Sequence, residues 1–133
     1  MKGLDTNILV RFVTLDDERQ ANAVLKLFED TNKKGQQLFV PLIVVLELLW
    51  VLESGYELSN DDMLMALERL SGLSVLKFEH DDCILALTEQ GRHLKIDLSD
   101  LLIGIVAARH GATSTLTLDK KAARIDTFEL LKT

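Results

Sequence analysis

Glu47 is the only charged side chain in the run Pro41-Leu-Ile-Val-Val-Leu-Glu-Leu-Leu-Trp-Val-Leu52. Read as a helix, the run puts Ile43, Val44, Trp50 and Val51 one turn away on either side, and none of them can pair with a carboxylate. An ionised carboxylate in such a setting is costly unless a cation, a metal ion or an opening to solvent compensates it. Four other acids stand at predicted helix starts. Asp5 and Asp119 can each cap the helix that follows, and Asp97 and Asp100 can form a capping-box-like pair. Capping explains any one aspartate alone, with Asp100 also favoured by the helix dipole. It does not explain Glu47, because a mid-helix residue cannot cap. Taken together, Asp5, Glu47, Asp100 and Asp119 are the oxygen donors a hard divalent cation needs. Mg²⁺ takes one or two carboxylates directly and keeps several waters.

The elements that would bring these acids together alternate along the chain. A short strand ends near Asp5, and further strands are expected over 37–40, 74–78 and 113–118, with a possible edge strand over 128–131. Helices are expected over 6–13, 18–31 and from Pro41 to about Glu53, where Ser54-Gly55 stops the last. Ser59 caps a helix carrying Met63, Leu64, Leu67 and Leu70. Another helix runs from Asp81 or Asp82 to about Leu94. One more runs from Asp97 or Ser99 to His110-Gly111, and a short one covers 119–125. Strands separated by helices imply an α/β domain with a mostly parallel central sheet of four to five strands, flanked by helices. Sites in such sheets form beyond the carboxyl ends of the strands, where Asp5 and Asp119 fall.

At 133 residues the chain is expected to be one domain over 1–133. Its 47% apolar content and single Pro exclude a disordered chain. Cys83 is the only cysteine, so no intrachain disulfide or cysteine-based metal site is expected, which suits a reducing cytoplasm. Asp5 interrupts any signal-peptide pattern, and the run 38–52 is too short to span a bilayer, so no membrane association is expected. His80, His93 and His110 lack paired spacing for zinc and take structural roles, as do Phe12 and Trp50 in the core. The net charge of −6 argues against a nucleic-acid partner, an objection that weakens if several carboxylates share a metal ion.

Leu4-Asp5-Thr6-Asn7, the mid-helix Glu47, Asp97-Leu-Ser-Asp100-Leu-Leu-Ile and Thr117-Leu-Asp119 resemble the motifs of PIN-domain ribonucleases, and most closely those of VapC-type toxins of toxin–antitoxin pairs. The match runs in order over nearly the whole chain. The resemblance implies a Mg²⁺- or Mn²⁺-dependent cut of RNA by Asp5, Glu47, Asp100 and Asp119. Asp5 and Asp100 would be the direct or water-mediated ligands, Asp119 would hold a second ion or the water shell, and Glu47 would orient or deprotonate the attacking water. Thr6, Asn7 and Thr117 would fix the carboxylates through hydrogen bonds, while Asp97 is expected to cap. A homodimer, held in check by a small antitoxin, is also implied.

Phosphodiester hydrolysis needs a nucleophile near neutral pH and relief of transition-state charge; a bound metal ion supplies both, with no nucleophilic Ser or Cys. Lys120 and Lys121, directly after Asp119, and Arg11 are the leading candidates for phosphate contact, with Arg92, Lys95 and Arg124 as further cations. Gly104, one turn after Asp100, could keep the backbone open there or serve helix packing. Two other classes compete. A haloacid-dehalogenase-type phosphohydrolase would want a second Asp where Asn7 stands. A non-catalytic PIN-like partner-binding module would have a degenerate acidic site.

Overall fold

A computed structural model describes residues 1–133. Strands β1 (Lys2–Gly3), β2 (Leu38–Val40) and β3 (Leu76–Phe78) form a parallel sheet in that order, with Lys2 opposite Leu38 and Leu38 opposite Leu76. Strands β4 (Thr115–Thr117) and β5 (Phe128–Leu130) form a second parallel pair, with Thr115 opposite Phe128. The helices are α1 (Thr6–Thr14), α2 (Glu18–Lys33), α3 (Leu42–Tyr56), α4 (Asn60–Ser71), α5 (Asp81–Gln90) and α6 (Leu98–Arg109), with a 3₁₀ turn over Ala122–Arg124. The expected α/β architecture and parallel pairing are present. The five strands divide into sets of three and two, because β1 is only two residues long and pairs with β2 alone, while β4 bonds only to β5.

Local chemistry sets most helix starts. Asp17 Oδ1 accepts the Gln20 N–H at 3.0 Å, Ser59 Oγ accepts that of Asp62 at 3.2 Å, and Asp97 Oδ1 accepts that of Asp100 at 3.0 Å. Helix α3 differs. Pro41 has no side-chain acceptor to offer, and the Leu42 N–H instead donates to Glu79 Oε1 at 2.8 Å, a carboxylate just beyond β3. A long-range contact thus does the work of a cap and ties α3 to the sheet.

Two helix ends differ from expectation. Helix α3 passes through Ser54-Gly55 and stops at Glu57, whose backbone is left-handed (φ 53°); the Leu58 N–H closes back onto the Leu52 carbonyl at 3.1 Å. The Tyr56 hydroxyl donates to Asp16 Oδ2 at 2.7 Å, which holds the extra turn against the α1–α2 connection. Helix α5 ends at Gln90 rather than near Leu94. A Cβ at Gly91 would lie 2.9 Å from Leu98 Cδ2 and 3.2 Å from Leu64 Cδ1, so the chain passes too close to its neighbours for any side chain there.

The core gathers the inner faces of all six helices against the sheet, with Leu9, Leu48, Leu52, Leu67, Leu87 and Leu98 fully buried. Phe12 packs obliquely on Phe28 with ring centres 5.2 Å apart. Trp50 departs from expectation: it is 64% exposed.

Candidate functional site

Glu47 is exposed to solvent, which corrects its expected burial. Ile43, Glu47 and Trp50 fall on one stripe of α3, and all three face outward, with Ile43 74% exposed. Val44, Val45, Leu48, Leu49 and Leu52 form the buried faces. Helix α3 is apolar nearly all round, so hydropathy alone marks no outer side. Glu47 thus opens to solvent, and no ion pair engages it.

The acids that do come together are Asp97, Asp100 and Asp119. They line one cavity of about 350 Å³ with Lys95, Lys121 and Arg124. Asp97 and Asp100 are brought there by the start of α6, and Asp119 by the end of β4. Burial pushes the Asp100 carboxyl above the ordinary aspartate value, and the charges of Asp97 and Asp119 push it the same way. The Thr117 hydroxyl accepts the Asp119 N–H at 3.0 Å, and Asp119 Oδ1 accepts the Lys121 N–H at 2.8 Å, so a tight turn fixes this acid. Asp97 caps α6, as expected, and shares the cavity as well.

Asp5 follows β1 and caps α1, its Oδ1 accepting the Thr6 N–H at 2.7 Å. It is exposed, Thr6 is buried, and Asn7 lines a different cavity beside Ile8 and Arg11. Neither Asp5 nor Glu47 lines the cavity of Asp100. No three potential ligands stand close enough to hold an ion between them. Carboxylate oxygen is the donor type a hard divalent cation takes, and Asp97, Asp100 and Asp119 bring three such groups to one cavity.

Glu53 escapes a reading of the sequence. Partial burial raises its carboxyl, followed by the charges of Asp97 and Asp100. Leu42, Ile43 and Leu46, at the other end of α3, share an apolar groove with Leu102, Ile103, Val106 and Ala107. The two helices therefore run antiparallel, which carries Glu53 toward the acidic end of α6. Only that register, absent from any local pattern, could have revealed it.

The candidate cations sort by their partners. Arg11 is engaged by Asp16 at 3.3 Å and by Tyr56 at 3.4 Å, with Gln20 at its Nε, so it is not a free phosphate contact. Arg92 pairs with Glu68. Lys95, Lys121 and Arg124 make no ion pair despite the acids around them, and Lys120 is exposed outside the cavity lining. Gly104 serves packing: a Cβ there would lie 2.5 Å from Thr127 Oγ1 and 2.6 Å from the Phe128 ring.

Comparison with known proteins adds two findings. The family model described as PIN domain matches residues 3–127. A VapC ribonuclease of Aquifex aeolicus (strain VF5) is 36% identical over 70 residues, which cover 53% of this chain and 51% of that protein. The chain thus spans about half the length of that curated relative.

Proposed function

Because this chain belongs to the PIN-domain family, we propose that it is a Mg²⁺- or Mn²⁺-dependent endoribonuclease, the toxin of a toxin–antitoxin pair. The observation that carries this reading is the meeting of Asp97, Asp100 and Asp119 in one cavity, where burial and the two neighbouring charges raise the Asp100 carboxyl. The similarity to a VapC ribonuclease over half its length supports the choice of RNA as substrate; the small antitoxin is what the resemblance of the acidic motifs to VapC-type toxins implies.

Asp5 and Asp100 would hold the cation, Asp119 would hold a second ion or the water shell, and Glu47 would orient or deprotonate the attacking water; of these four, Asp100 and Asp119 line the acidic cavity. Bound there, the ion would supply an activated water and offset charge on the phosphate. Thr117 keeps Asp119 in place through its backbone; Thr6, whose N–H donates to Asp5 Oδ1, and Asn7 after it would help to set the direction of Asp5. Lys95, Lys121 and Arg124 bind the phosphates, with Lys120 beside them. These unpaired cations answer the objection raised by the net charge, since they bring positive charge to the one place a nucleic acid would need it. A cytoplasmic homodimer completes the reading. The exposed Ile43 and Trp50, beside an apolar groove of about 400 Å³ between α3 and α6, support self-association. No helix is long and apolar enough to cross a membrane.

The test is cleavage of RNA by the purified protein with Mg²⁺ or Mn²⁺, and its loss on adding a chelator. Cleavage that persists in chelator overturns the metal assignment. A second reading, a partner-binding module without catalysis, is favoured by the position of Asp5 and Glu47 outside the acidic cavity. It predicts binding of RNA or antitoxin with no cleavage under any metal.

A further inference from the structure

The loop between α5 and α6 divides two cavities. On one side lies the acidic cavity. On the other lies a larger one of about 610 Å³, lined by the cations Lys95 and Lys121, the acids Glu53, Asp61 and Asp97, and by His93 among others. Lys95, Ile96, Asp97 and Lys121 border both. The dividing loop is held from outside: Asn60 Nδ2 donates to the Leu94 carbonyl at 3.1 Å and to that of Ile96 at 2.6 Å. Both amide hydrogens of Asn60 are committed in this way, so a rigid helix, α4, fixes the loop on either side of Lys95. His93 sits in the same loop with φ 63°. The other non-glycine residues with positive φ are helix caps, namely Leu15, Glu57 and His80. His93 is exposed and lines the larger cavity. The Leu94 N–H closes a turn onto the Gly91 carbonyl at 3.4 Å, which puts His93 at the turn's third position, where a positive φ is usual.

We propose that the larger cavity is a nucleotide subsite. A backbone phosphate of single-stranded RNA lies at Lys95 and Lys121, where the two cavities meet, and the adjoining nucleotide enters the larger cavity with its base against His93. This rests on the ribonuclease reading and adds to it where the strand runs. Lysine ammonium groups bind phosphate as point charges, an aromatic ring accepts any base by stacking, and the volume falls within the roughly 300–1,000 Å³ of small-ligand sites. Asn60 is a positioning residue here, since its amide reaches the loop and not the ligand.

The experiment measures binding of a single-stranded 2′-O-methyl oligoribonucleotide, which resists cleavage, by fluorescence anisotropy in the presence of chelator. Abasic nucleotides replace each position in turn. One abasic position should weaken wild-type binding by about 5-fold or more, the effect of losing one base stack. His93→Gly, which suits the positive φ, should weaken binding of the intact oligonucleotide by the same factor and show no further loss at that position. His93→Asn, which also tolerates this backbone, should repeat the result if the glycine variant does not fold. Lys95→Gln should weaken intact and abasic strands alike. An abasic penalty that persists undiminished in the His93 variants, or no sensitive position at all, overturns the subsite while cleavage of RNA leaves the nuclease reading standing. No binding and no cleavage with Mg²⁺ or Mn²⁺ removes both.

Discussion

The Asp97 carboxylate accepts the Asp100 N–H at 3.0 Å while its charge helps to raise the Asp100 carboxyl. One side chain therefore secures the start of α6 and opposes the ionisation of a residue in the first turn of the same helix. The two effects can be separated by substitution. Asp97→Asn keeps an N-cap acceptor and removes the charge; Asp97→Ala removes both. Chemical denaturation should show the alanine variant less stable than the asparagine variant by about 1 kcal/mol. Equal midpoints would mean that the cap contributes nothing.

Asp100 makes stability depend on pH in a defined direction. Its folded-state carboxyl titrates above the ordinary aspartate value, so its contribution is fully present below that ordinary value and is lost as pH rises through the raised one. Glu53, raised by partial burial and then by Asp97 and Asp100, acts in the same sense. Asp100→Asn should raise the melting temperature near neutral pH, with the gain shrinking as pH falls toward the ordinary aspartate value. The same variant should not cleave RNA. A variant less stable than the parent at pH 7 would contradict the repulsion inferred for this cavity.

Mg²⁺ should act as a stabilising ligand of the folded chain through the same carboxylates. Millimolar Mg²⁺ or Mn²⁺ should raise the melting temperature of the parent, and a chelator should reverse the rise. Asp100→Asn and Asp119→Asn should lose most of that response. Calorimetric scans in which these variants respond as the parent does would place the ion elsewhere.

Glu47 separates catalysis from stability. The side chain is exposed and unpaired, so Glu47→Gln should leave stability within about 0.5 kcal/mol of the parent. Activity should fall at least tenfold if this residue orients the attacking water. Unchanged cleavage by Glu47→Gln would remove it from the site, and the same comparison with Asp5→Asn decides the part of Asp5.

Gly104 carries a packing prediction. Its absent side chain lets α6 approach Thr127 and Phe128, the latter the first residue of β5. Gly104→Ala should destabilise the fold by about 1–3 kcal/mol through overpacking, despite alanine's better helix propensity. A more stable alanine variant would show that the β4–β5 pair moves aside without cost.

The sequence by itself determined the order of strands and helices, the parallel class and the caps at Asp5, Ser59 and Asp97, because these follow from short-range periodicity and from hydrogen bonds within a few residues. The acids that could form a site were also legible as residue types. Tertiary structure alone decided which of them meet. Asp97, Asp100 and Asp119 share a cavity because the start of α6 lies beside the end of β4, while Glu53 approaches them through the antiparallel packing of α3 and α6. It also decided the exposure of Glu47. A helix apolar on every face gives no local sign of which stripe turns outward; that depends on what packs against it, and the partners of α3 come from distant parts of the chain.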